Sequence, residues 1–443
     1  MTVNYPNLPG IEVTLRDGGL ILPEETSTES LLIIGPTTKA VGPDLEGGKI
    51  PENPVLIRVK EDLVANNFST AGSEFVDGGN LNELAVAWKA AYDGGCRQIY
   101  LMAIPVTGTN EDQKYKSFFI GVHKALFGIL EDFNVNNVVI VGAYANKKTV
   151  AVTAAELGVT ELARTPGLDS KLVGGSTEYY GNFAATLAAY CEKQTLNHNT
   201  VIGYIGTTAP ASNGLADIKT HVDALVANKR QYSGHLSIVA GPELGYQVPG
   251  MRDIQYRNGV VTYAALISTL RPESAPTNKP VFGIAGVRYN MSLRQLDSLS
   301  GAQYVSFRLK NGLVYVTDGV TTAPDQQIGN VIYKSDYIRL STLRITHAAV
   351  RLIREIADPF IGEPNGMPQR NALIAAIRGG LEGMKSAGAI IDYRFSLTTS
   401  PRQNILGQST VSLELIPAFE LRKVSVDVSL RAVLQTNGDN QRQ

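Results

Sequence analysis

Between residues 31 and 290, short apolar runs take turns with helical stretches. The runs are "LLIIG" (31–35), "IYLMAI" (99–104), "VVIVG" (138–142), "TVIGYIG" (200–206), "LSIVAG" (236–241) and "VFGIAG" (281–286). A strand that is apolar at nearly every position is buried on both faces, and a parallel neighbour is reached only through a crossover, usually a helix. The intervening segments supply such helices. "ELAVAWKAAYDGG" places Leu84, Trp88 and Ala91 on one face, with Gly94-Gly95 as a stop. Phe119, Val122, Leu126, Ile129, Leu130 and Phe133 recur at helical spacing, and further helices are expected around 183–190, 218–227 and 263–270. This alternation predicts an α/β fold with a mainly parallel sheet covered on both faces.

After about residue 290 the texture changes to α+β. "YVSFRLKNGLVYV" predicts a hairpin: Val305, Phe307 and Leu309 alternate, Asn311-Gly312 suits a type I′ turn, and Val314 and Val316 return. An amphipathic helix is expected over 336–357. Ile345, Ala349, Leu352, Ile353 and Ile356 form its apolar stripe, and Arg344, Arg351 and Arg354 form an opposite, solvent-facing cluster. A second helix, 369–386, ends at Gly388 and presents Arg378 and Lys385 two turns apart. Together these five cations could meet an acidic partner.

Both ends of the chain read as strands. Ile11, Val13 and Leu15 alternate within "PGIEVTLRDGG". Val411, Leu413 and Leu415 alternate within "TVSLELIPAFEL". Val424, Val426, Val428 and Leu430 alternate with Ser425, Asp427, Ser429 and Arg431. An unpaired edge strand is an open template, so each needs a partner. The partner is either in the same chain or in a neighbouring copy. Repeated head to tail, such β-augmentation yields rings or filaments.

Several function classes find no support. The chain has 40 basic and 41 acidic residues, for a net charge of -1, which does not suit a protein built on phosphate contacts. Only 18% of residues are charged, against 44% hydrophobic, which points to extensive buried surface within a large core or between subunits. Cys96 and Cys191 form no CxxC pair, and His123, His198, His221, His235 and His347 show no metal-ligand spacing. No P-loop occurs: "GLEGMKS" has the wrong glycine spacing. "GGSTE" and "AGSEF" lack the closing glycine of a nucleophile elbow. The first residues have no signal-peptide pattern and no apolar run reaches the length of a membrane span, so a soluble protein made in a reducing cytoplasm is expected. No catalytic, cofactor-binding or metal residue is assigned. The enzyme alternative is a hydrolase or transferase with its site at Gly-rich strand ends such as "YIGTTAPASNG" and "VAGPELG".

From end to end the chain resembles the contractile tail sheath proteins of bacteriophages, R-type bacteriocins and related injection systems. The resemblance rests on "PGIEVTLRD", "ESLLIIGPTTKAVGPDLEGGKIPENPVLIRVKEDLVANNF", "NELAVAWKAAYDGGCRQIYLMAI" and "LDSLSGAQYVSFRLKNGLVYVTDGVTTA". The most specific segments are "FIGEPNGMPQRNALIAAIRGGLEGMKSAGAIIDYRF" and "GQSTVSLELIPAFELRKVSVDVSL". It implies an arm at 1–30, an α/β outer domain at 31–290 with 140–280 as its variable part, an α+β tube-facing domain at 291–420 and a second arm at 421–443. The family's variable domain can take a subtilisin-like α/β sandwich fold, but no triad is found here and no proteolysis is inferred. The resemblance further implies six-fold rings stacked helically around an inner tail tube, with arms exchanged between subunits. Ile11, Val13, Leu15, Val424, Val426, Val428 and Leu430 would pair across subunits, and Arg344, Arg351, Arg354, Arg378 and Lys385 would face the tube. Baseplate and tail terminator proteins are the other implied partners, without nucleic acid or membrane insertion. The implied location is the contractile tail of a virion assembled in the host cytoplasm.

Overall fold

The computed structural model describes residues 29–42, 49–77, 80–148, 151–173, 176–197, 199–328, 331–364, 366–400 and 409–422. Nine strands make the central sheet: β1 (Leu31–Thr37), β2 (Val55–Leu56), β3 (Ile99–Pro105), β4 (Asn137–Tyr144), β5 (Ile202–Gly206), β6 (Leu236–Gly241), β7 (Pro280–Val281), β8 (Tyr304–Lys310) and β9 (Leu313–Val316). Their spatial order is β7-β9-β8-β6-β5-β4-β1-β3-β2. The six strands from β8 to β3 run parallel, while β7, β9 and β2 join antiparallel at the two margins.

The sheet is covered on both faces, and β1 shows why its sequence is apolar throughout. Leu31 and Ile33 point into one core cluster and Leu32 and Ile34 into the other. Six helices supply the covers: α1 (Glu83–Asp93), α2 (Glu111–Lys124), α3 (Phe183–Asn197), α4 (Leu215–Ala227), α5 (Val260–Thr269) and α6 (Leu293–Gly301). Residues of α1 and α5 fill the first cluster; residues of α2, α3, α4 and α6 fill the second. Asn82 caps α1 by accepting from the Ala85 N–H, and Trp88 of α1 donates its indole N–H to the Ile57 carbonyl at 3.1 Å. The expected stripe after Phe119 is interrupted once. α2 widens into a π-helical stretch, Ala125–Ile129, which shifts the phase and leaves Ile129 exposed while Leu126 and Leu130 stay buried.

Two expectations are corrected here. "VFGIAG" is not a buried parallel strand: only Pro280–Val281 pairs, antiparallel to β9. Gly283 then turns the chain at φ 75°, and a Cβ there would lie 2.4 Å from the Cβ of Asp93. The hairpin at 304–316 forms with the expected turn, Asn311 at φ 52° and Gly312 at φ 77° closing the pair Lys310–Leu313. It does not open a C-terminal module, however. β8 pairs parallel with β6, so the α/β body runs past residue 290 through Val316. Alternation specified a hairpin but could not specify which sheet it would join.

Beyond the body lie α7 (Leu340–Ala357), α8 (Met367–Ser386), β10 (Ile390–Thr398) and β11 (Thr410–Pro417). α7 is preceded by a single 3-10 turn, Asp336–Ile338. Its first turns belong to the body, with Leu340 and Leu343 in the first core cluster. Its later turns hold α8. Gly380 of α8 makes that crossing close, since a Cβ there would sit 2.8 Å from Ile356 Cδ1.

Candidate assembly surfaces

β10 and β11 form an antiparallel ribbon of their own, joined to no other strand among the described residues. Tyr393 lies opposite Leu415, Phe395 opposite Leu413 and Leu397 opposite Val411. These six residues form one half-buried face, and α8 packs on the ribbon beside them. Asp392, Arg394, Ser396, Ser412 and Glu414 form the exposed face. Each strand therefore has one edge whose alternate N–H and C=O groups face away from its partner. A two-stranded sheet is marginal alone, and open edges are pairing templates. The ribbon answers half of the question raised by the terminal strands: the partner of 410–417 is 390–398. Ile11, Val13, Leu15, Val424, Val426, Val428 and Leu430, expected to pair across subunits, lie outside the described residues.

The arginine cluster is not solvent-facing, and that expectation is corrected. Arg344 is 1% exposed. Its guanidinium donates to the Leu270 carbonyl at 2.6 Å and the Arg271 carbonyl at 2.9 Å, just past the C-terminus of α5, and pairs with Glu29 at 3.4 Å. Arg351 pairs with the other Glu29 oxygen at 3.0 Å. Arg354 donates to the Thr195 carbonyl on α3 at 3.0 Å. The face taken as outward is the one turned toward the α/β body. A guanidinium at a helix C-terminus meets the negative end of the helix dipole, which helps to hold Arg344 there. Glu29 also accepts from Asn137 Nδ2 at 3.2 Å, and Tyr204 donates to Asn137 Oδ1 at 3.0 Å. Burial opposes ionisation of Glu29, but Arg344 and Arg351 outweigh it and hold its carboxyl below the ordinary range. By contrast, Arg378 and Lys385 of α8 are exposed, with Lys385 2.9 Å from Asp392.

A second cluster escaped the sequence reading. Asp318, 2% exposed, receives Arg339 on Oδ1 at 2.8 Å and Arg422 on Oδ2 at 2.7 Å. The Ser300 hydroxyl, the Gly319 N–H and the Thr277 hydroxyl also donate to it, at 2.6, 3.0 and 3.4 Å. Glu420 lies 3.7 Å from Arg339 and 3.4 Å from Arg422. Burial pushes the Glu420 carboxyl upward; Arg339 works against that and Asp318 adds to it. His347 of α7 stacks on His235 with centroids 5.1 Å apart, and burial drives both imidazoles below their usual range.

The Gly-rich strand ends are occupied by the protein itself. Asn258 covers Gly206, donating to the Thr207 and Val239 carbonyls at 3.0 Å each. A cavity of about 320 Å³ remains there, but its charges are already paired: Arg257 with Glu83 at 2.8 Å and Arg288 with Glu243 at 2.7 Å. Cys96 and Cys191 are buried, and burial raises the Cys191 thiol well above its ordinary range. Among the described residues no group of His, Cys, Asp and Glu could hold a metal, and no helix is long and apolar enough to cross a membrane.

No protein-family model and no curated protein matches this sequence. Comparison in three dimensions does find relatives in shape. A chain of the contracted baseplate of the anti-feeding prophage superposes with a TM-score of 0.59 at 14% identity, over 97% of this chain and 99% of that one. A chain from the contracted sheath complex of PVC, an extracellular contractile injection system, gives 0.56 at 13% identity, over 97% and 99%. The sheath tail protein of Desulfitobacterium hafniense gives 0.52 at 10% identity, over 92% and 100%. The chain has, over nearly its whole length, the fold of contractile sheath proteins.

Proposed function

We propose that this chain is a structural subunit of a contractile sheath. It polymerises with itself around an inner tube and shortens to drive that tube through a target envelope. The observation that carries the reading is the β10–β11 ribbon. Among the described residues it offers two open edges, in a chain whose two ends both have strand alternation. Strands donated by neighbouring copies would complete it. Each main-chain hydrogen bond gained contributes about 0.5–1.5 kcal/mol net, so a strand of several residues adds a few kcal/mol per junction. Directional backbone bonds also keep subunits tethered while their bodies rotate.

Two other chains of this fold come from assemblies described as a six-fold symmetrised baseplate and a helical sheath in the contracted state, both of the anti-feeding prophage. We carry six-fold rings, helical stacking and baseplate contact to this chain on that likeness. A tail terminator would close the far end, and the assembled particle would be the contractile tail of a phage-like system built in a bacterial cytoplasm. The role is mechanical and uses no cofactor. The tube-facing surface is assigned to α8, where Arg378 and Lys385 remain exposed, because Arg344 is enclosed by the body. Exposed charges grip in a way that salt weakens, which suits a contact that must release.

The test of strand donation is proline at Val426 and Val428. Proline removes a ladder donor and is confined to strand edges, strand starts and bulges. Assembly is expected to disappear while the thermal transition of the α/β body stays within about 1 °C, since surface substitutions away from packed features change stability little. Loss of that transition would show that residues 424–430 belong to the body of their own chain.

A further inference from the structure

Glu29 lies near the end of the expected first arm (1–30), and Glu420 and Arg422 lie where the expected second arm (421–443) begins. Both places are held by buried charge, and both charge clusters touch α7. Arg339 is the N-cap residue of α7, while Arg344 and Arg351 lie along it. At the first place Arg351 takes one oxygen of Glu29, and Arg344 and Asn137 share the other. Asn137 opens β4, in the middle of the sheet, and is bonded in turn to Tyr204 of β5. At the second place Asp318 binds Arg339 of α7 and Arg422 at once.

Apolar packing contributes little to the second hold. Phe419 is 70% exposed and Leu421 84% exposed, while Glu420 and Arg422 between them turn toward Asp318. Residues 419–422 thus present their polar side chains to the body and their apolar ones to solvent, the reverse of an ordinary strand packed on a core. Buried ion pairs are poor sources of net stability, yet breaking one by removing a partner is expensive. They suit a point that must resist being peeled off and gain nothing from greater bulk stability.

We propose that α7 is the common anchor of both expected arms: the Glu29 cluster fixes the root of the first and the Asp318–Glu420 cluster fixes the root of the second. Tension on either arm then enters the central sheet through α7. The arms and the tension on them rest on the sheath reading above; the grip of the two clusters on Glu29 and on Glu420 and Arg422 does not.

The experiment is hydrogen exchange with mass spectrometry on the full-length, unassembled protein, comparing wild type with Glu29→Gln and Asp318→Asn. Glu29→Gln is expected to speed exchange at residues 29–30 at least tenfold and leave 418–422 unchanged. Asp318→Asn is expected to do the reverse. Arg351→Gln and Arg422→Gln, at half-exposed members of the two clusters, keep the fold safe and should repeat the arm-specific pattern at smaller size. Unchanged exchange at a variant's own root overturns the anchor, as does equal loosening of both roots by either variant, which would make the clusters general supports. Electron microscopy of wild type runs alongside. Absence of cylinders would overturn the sheath reading, and with it the tension, while exchange still decides the anchoring.

Discussion

Replacing Arg344 with methionine removes a guanidinium that bonds two carbonyls past the end of α5, at 2.6 and 2.9 Å, and one oxygen of Glu29 at 3.4 Å. Methionine fills much of the space but satisfies none of the three acceptors. Breaking a buried pair in this way costs about 3–5 kcal/mol. With an unfolding entropy of roughly 2.1 cal/mol/K per residue, a chain of 443 residues should lose about 3–5 °C in Tm. Glu29→Gln keeps an acceptor of similar shape and should cost less, about 2–3 kcal/mol, because Arg344 and Arg351 then share a neutral partner. Since both substitutions break the same contact, the double variant should be less destabilised than the sum of the singles by about 1–3 kcal/mol. The assay is denaturant unfolding of wild type, both singles and the double at pH 7. pH adds a check with a definite sign. The folded Glu29 carboxyl is held below its unfolded value of 4.5, so its contribution is fully present above pH 4.5 and fades as pH falls through the folded value. The gap between wild type and Glu29→Gln should therefore close in acid. Additivity within about 0.5 kcal/mol would refute the claim that these residues act as one unit.

Acid should also act through the histidine stack. His235 and His347 are both depressed by burial, and His347 also faces Arg351, Arg344 and Arg354, so the folded state prefers both rings neutral. Their contribution is present above the unfolded value of 6.5 and is lost as pH falls below it. His347→Leu should flatten the decline in Tm between pH 7.5 and pH 5, and an unchanged slope would exclude the stack as its source. On the outer surface, Arg378→Glu with Lys385→Glu should weaken co-sedimentation with the tube severalfold while leaving empty cylinders intact. Tube binding equal to wild type would remove α8 from the tube contact.

Much of the fold could be read from residue pattern because it is local. Leu31–Ile34 had to be buried on both faces, and Asn311-Gly312 had to turn with positive φ. The parallel sheet follows from such strands spaced by helices. What could not be read was set by partners far away in sequence. Arg344, Arg351 and Arg354 have the spacing of a solvated helix face, and nothing near them announces that Glu29 lies 315 residues before Arg344. Asp318 follows the hairpin, and its neighbours in sequence do not announce that Arg339 and Arg422 converge on it. The hairpin at 304–316 misled in the same way, since alternation fixes which side chains share a face but not which strand lies alongside. "VFGIAG" failed for a different reason: its composition is that of a strand, but Gly283 needs a left-handed backbone against Asp93.

The central claim is that strands donated between copies join this chain into a sheath. The most direct measurement is electron microscopy of the purified full-length protein at rising concentration, beside a chain lacking residues 423–443. The account predicts hollow cylinders with six-fold end views from the full chain, and folded particles that do not assemble from the truncated one. Identical cylinders from both chains would contradict it, because the subunits would then be held together without the donated strand.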